Sequence, residues 1–115
     1  MLKKKYLLKD KKKVATLFKN GEKVTKSPIT VIAMTHDSNG AMFTVSKKQI
    51  SRAVDRNKIK RQMKAIYFKN KELFIKQKPL KKMAFIYFGK ELIPFSKLEK
   101  TMIELIKRLN INEVN

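Results

Sequence analysis

Apolar residues recur along the chain with two different rhythms. Val14, Leu17 and Phe18 are spaced three and four apart, which predicts a short helix over 10–20, capped by Asp10 and stopped at Asn20-Gly21. Residues 22–26 predict a short edge strand that Ser27-Pro28 interrupts. Residues 29–35 read as a strand, Asp37-Ser38-Asn39-Gly40 as a tight turn, and 41–46 as the returning strand of a hairpin. The helical rhythm returns over 51–68, with Ser51 as cap and Ile59, Met63, Ile66 and Tyr67 on the side that faces a sheet. Residues 70–82 fit either an extension of that helix or a connection, closed by Pro79. Residues 83–88 are an unbroken apolar run, a buried strand that Gly89 ends. Ser96 and Glu99 have capping-box spacing ahead of a stripe made of Leu98, Met102, Leu105, Ile106 and Leu109.

The predicted order is α-β-β-β-α-β-α. It gives an α+β, two-layer α–β sandwich in which three helices cover a mixed sheet of about four strands. A chain of 115 residues suits one domain, 1–115, better than two independent cores.

Charge changes the picture. Lys and Arg number 29 against nine Asp and Glu, a net charge of +20. The excess is uneven: 1–26 carries +8 and 47–71 carries +9, whereas 91–115 is neutral. Solubility alone does not require that asymmetry, and a one-sided polyanionic surface does. Lys11, Lys12 and Lys13 stand in the first turn of the first predicted helix, where the macrodipole disfavours cations. Only four bases are Arg, and Arg52, Arg56 and Arg61 lie within ten residues. Arg makes bidentate contacts to phosphate that Lys does not, so their clustering points to recognition.

On the main helix, Asn57, Lys60, Arg61 and Lys64 share a side spread over about 100° that contains no acid, and Arg52 and Arg56 precede it along the seam between faces. Like charges four apart repel on an isolated helix. A nucleic-acid backbone reverses the sign of that effect by releasing counterions.

From Phe43 the chain reads Phe-Thr-Val-Ser-Lys-Lys-Gln-Ile-Ser-Arg-Ala-Val-Asp-Arg-Asn-Lys-Ile-Lys-Arg, ending at Arg61. This block resembles the signature of the bacterial ribonuclease P protein component: a strand, Ser-Lys-Lys, a short link, then Ala-Val/His-x-Arg-Asn-Arg-x-Lys-Arg. Phe18-Lys19-Asn20-Gly21 matches the end of that family's first helix, and the resemblance covers nearly the whole chain. It implies a sandwich with a left-handed crossover into the last strand, where general chirality rules would favour a right-handed one. It also implies a protein that binds a catalytic RNA subunit and the 5′ leader of precursor tRNA, while the RNA removes the leader with Mg²⁺.

Residue by residue, the resemblance places Lys47, Lys48, Arg56, Asn57, Lys58, Lys60 and Arg61 against the RNA subunit, and the charge pattern of the helix adds Arg52 and Lys64. Lys58 stands where the family usually has a second Arg, which keeps the charge and loses the fork. Ser51 stands where many members have Gly. The leader cleft takes Val14, Phe18 and Ile32; Val14 and Ile32 replace residues that are often aromatic, removing stacking worth roughly 1–3 kcal/mol per base.

No catalytic residues are expected in the protein itself. Cys is absent and His36 is the single His, so Cys-based zinc sites and Ser–His–Asp triads have no basis, and no metal site is expected. His36 and Asp37 are adjacent at the end of a strand, beside a turn, where neighbours point to opposite faces and make no acid–base pair; Asp10, Asp37 and Asp55 are dispersed, without two-metal spacing. Asp55, next to Arg56, suits a supporting role at the start of the main helix or the orienting of a basic side chain. A ribosomal or ribosome-associated RNA-binding protein is the alternative reading. DNA is not expected as a partner, since a hairpin rather than a helix-turn-helix precedes the basic helix. Neither a membrane span nor a secretory signal is evident, so a cytoplasmic location is expected.

Overall fold

The computed structural model describes residues 21–35, 40–76 and 81–114. The helix expected over 10–20 and the turn at 37–39 lie outside the described residues.

Four strands form one sheet: β1 (Glu22–Lys26), β2 (Ile29–Thr35), β3 (Gly40–Val45) and β4 (Lys81–Tyr87), in the spatial order β1-β2-β4-β3. β2 pairs antiparallel with both β1 and β4, and β3 pairs parallel with β4. The sheet is mixed, as expected, but the expected hairpin is not there. β2 and β3 do not pair, because β4 lies between them. The reason is burial. β4 supplies Met83, Phe85 and Tyr87 to one face and Ala84 and Ile86 to the other. A strand apolar on both faces gains most from a central position, whereas β1, with exposed Glu22, Lys23, Thr25 and Lys26, suits an edge.

Helices α1 (Ala53–Lys69), α2 (Lys71–Phe74) and α3 (Phe95–Val114) complete the described fold. α1 forms the crossover between the parallel strands β3 and β4. Ile59, Met63, Ile66 and Tyr67 are its buried residues, and the whole predicted stripe of α3, from Leu98 to Leu109, is buried as well. Both meet one face of the sheet, around Ile29, Val31, Phe43, Val45 and Phe85. Phe43 stacks on Phe85 at 5.3 Å, and Tyr67 stands edge-on to both rings at 5.7 and 6.0 Å. Each buried side chain of this size contributes roughly 1.5–3 kcal/mol.

Two predicted caps are not used. The N-cap of α1 is Arg52, extended at φ −79° and ψ 124°, and no side chain caps that end, Ser51 included. Ser96 lies inside α3, and Glu99 turns to the other helix instead. Asn70 explains the ambiguous stretch that follows α1. Its side chain donates to the Ile66 carbonyl at 2.9 Å and to Glu99 Oε2 at 3.1 Å, with φ −110° and ψ 50°. The helix stops there and resumes for one turn, which buries Phe74.

Candidate nucleic-acid interface

The basic segment is held by a turn and a helix. After β3, the Ser46 carbonyl accepts from Ile50 N at 2.9 Å and the Ser46 hydroxyl from Gln49 N at 3.3 Å. Ile50 is buried in the core, which pins the turn and leaves Lys47 and Lys48 exposed on it. The Arg52 carbonyl then accepts from Arg56 N at 3.1 Å and opens α1.

Arg56 is not simply part of an outward row. Its Nη1 donates to the carbonyls of Ile50 at 2.8 Å and Ser51 at 2.7 Å. These two bonds use both protons of one nitrogen and leave Nε and Nη2 as donors. The guanidinium thereby locks the turn to the helix and keeps its charge. Arg52 is mostly exposed and sits 3.8 Å from Asp55, three residues on.

Farther along α1, Asn57, Lys58 and Arg61 are exposed, and Lys60 and Lys64 are half-buried. At 100° per residue the line farthest from the buried face runs through Val54, Lys58, Arg61 and Ala65, with Lys60 and Lys64 along one flank. Among the described residues, none of Lys47, Lys48, Arg56, Lys58, Lys60, Arg61 and Lys64 forms an ion pair with a carboxylate. The acids are used elsewhere. Lys69, at the far end of α1, pairs with Glu99 at 3.1 Å, and Glu104 takes Lys26 and Arg108. Hydrogen bonds from Asn70 and Lys69 hold the Glu99 carboxyl below the usual carboxylate range, and a hydrogen bond from Lys26 does the same for Glu104. Uncompensated charge therefore concentrates on the 46–50 turn and the N-terminal two-thirds of α1.

The second face of the sheet is the other candidate surface. Ile32 is buried there with Ala84, against Met34, Met42 and Ile86. Thr25 and Thr30 lie beside them with hydroxyls 3.0 Å apart. Of the expected leader-cleft residues, only Ile32 is described; Val14 and Phe18 lie outside the described residues. Sequence reasoning missed Met42, Thr44 and Ile86 on this face. Strand parity identifies them once β4 is known to separate β2 from β3. No strand residue described on this face is aromatic, so it offers aliphatic and thioether surface rather than rings.

Among the described residues no helix is long and apolar enough to cross a membrane, and no three His, Cys, Asp or Glu side chains gather where they could hold a metal ion.

The fold has close counterparts among solved structures. The Staphylococcus aureus RNase P protein superposes with a TM-score of 0.78 at 21% identity, covering 90% of this chain and 94% of that one. The Thermotoga maritima RNase P protein gives 0.76 at 22% identity, covering 89% and 96%. No curated protein matches the chain in sequence. The family model described as Ribonuclease P matches residues 2–110, across the basic turn, α1 and both faces of the sheet, and the chain belongs to that family.

Proposed function

We propose that this ribonuclease P subunit binds the catalytic RNA of the enzyme through the 46–50 turn and α1, and holds the 5′ leader of precursor tRNA on the second face of the sheet. The observation that carries the proposal is the run of cations from Lys47 to Lys64, on the 46–50 turn and α1, with no carboxylate among the described residues paired to the seven named above. Lys47, Lys48, Arg52, Lys58, Lys60, Arg61 and Lys64 contact phosphate, Arg56 contacts it through Nε and Nη2, and Asn57 adds a neutral donor and acceptor. On the second face, Ile32 packs against the leader; the resemblance to the family assigns Val14 and Phe18, outside the described residues, to the same contact.

The protein supplies binding and charge, and the RNA, with Mg²⁺, hydrolyses the phosphodiester. Cations placed along the RNA lower its self-repulsion, as Mg²⁺ otherwise must. Purified protein added to a bacterial ribonuclease P RNA and precursor tRNA at low Mg²⁺ is expected to stimulate leader removal over the RNA alone. Absence of stimulation, with ribosomal RNA bound as tightly as ribonuclease P RNA, would favour a ribosomal role instead.

A further inference from the structure

Val54 stands apart on the basic helix. Its exposure is 70%, against 40% for Leu92 and 36% for Phe95, the other exposed large apolar residues described. It occupies the first turn of α1. A β-branched residue there is a poorer helix former than Ala, and with its side chain in water it gains nothing from burial to offset that. Isolated exposed apolar residues are ordinary on protein surfaces. The surroundings of Val54 are not ordinary. Lys58 lies one turn on and Arg61 two turns on, along the outward line of α1, and neither forms an ion pair with a carboxylate among the described residues.

We infer that Val54 is an apolar contact point for the RNA subunit, packing on the ribose or base of a nucleotide whose flanking phosphates engage Lys58 and Arg61. The inference rests on the proposed function. Charge complementarity selects RNA as the occupant: a second copy of this chain would bring the same cations against themselves, and an apolar protein partner would leave Lys58 and Arg61 to be desolvated unpaired. A phosphate backbone neutralises them and presents sugar and base surface between its charges. Contact of this kind releases no counterions, so its contribution is independent of salt, unlike that of the lysines around it.

The test uses Val54→Ala, which trims the side chain and favours the helix, so folding is preserved. Affinity for ribonuclease P RNA is measured across a salt series for the full chain and for the variant. The expected result is at least about a five-fold loss of affinity at every salt concentration, with the slope of log K against log salt unchanged. An affinity within two-fold of the unsubstituted chain overturns the inference and leaves the proposed function standing. A changed slope also overturns it, since the substitution would then act through phosphate contacts. Failure of the unsubstituted chain to bind this RNA overturns the proposed function and the inference together.

Discussion

Arg56 Nη1 donates to the carbonyl of Ile50 at 2.8 Å, so the first Arg of the basic motif braces its own loop. The same nitrogen holds Ser51 O at 2.7 Å. Hydrogen bonds to a charged donor contribute about 1.5–3 kcal/mol when buried and less at a partly exposed site. Arg56→Ala is expected to lower stability by about 1 kcal/mol in chemical denaturation, and to weaken RNA binding with a salt slope reduced by about one. Arg56→Lys recovers charge and loses the two-carbonyl brace, so it is expected to restore the slope more fully than the stability.

Among the described residues, Lys60 and Arg61 brace no loop and meet no carboxylate. Lys60→Ala and Arg61→Ala are expected to leave denaturation midpoints within about 0.5 kcal/mol of the parent. Each is expected to reduce the salt slope of RNA binding by about one. An unchanged slope for both would show that neither touches phosphate.

Gly89 ends β4 where the chain passes close to Pro28. A Cβ built at Gly89 lies 2.7 Å from Pro28 Cβ and 3.1 Å from the Tyr87 ring. Neither neighbour yields easily: Phe88 N donates to Pro28 O at 2.9 Å, and the Tyr87 hydroxyl donates to the Glu91 carbonyl. Gly89→Ala is expected to cost about 1–3 kcal/mol through overpacking, read as a lower denaturation midpoint.

Much of this architecture is legible in the residues themselves. The α1 and α3 core stripes follow from 3.6-residue periodicity, because Ile59, Met63 and Leu98 to Leu109 have a single apolar direction to bury. The strand order does not follow in the same way. Strong turn chemistry at Asn39-Gly40 favours a hairpin locally, while the double-sided apolar character of β4 competes for the central position, and a long-range contact decided between them. The capping residues failed for a related reason. Glu99 has a helix-start spacing to Ser96, yet Asn70 and Lys69 on another element offer its carboxylate a cation and an amide. The cationic surface is legible in the placement of Lys and Arg along 47–71 and their spacing on the helix. The two-sided use of Arg56 was not, since a guanidinium's acceptors depend on where the loop returns.

Glu99 joins α1 to α3, and its lowered carboxyl makes that joint sensitive to acid. A carboxylate with a depressed folded-state value contributes stability above its unfolded value, near 4.5, and loses it as pH falls through the lower folded value. Glu99→Gln keeps an acceptor for Asn70 and removes the charge facing Lys69. The variant is expected to be less stable than the parent at neutral pH, with the gap closing as pH falls below about 4.5. A gap that stays constant to acid would show that the charge of Glu99 carries none of the effect.

The most direct measurement maps which surface meets the RNA. The chain has no Cys, so Ala65→Cys places a single thiol on the exposed outward line of α1, and Lys107→Cys places one on the exposed side of α3. Each is loaded with a hydroxyl-radical-generating probe and bound to ribonuclease P RNA. Localised strand cleavage from position 65, and little from position 107, is the predicted result. Equal cleavage from both positions, or cleavage only from 107, would contradict the assignment of α1 as the RNA-binding surface.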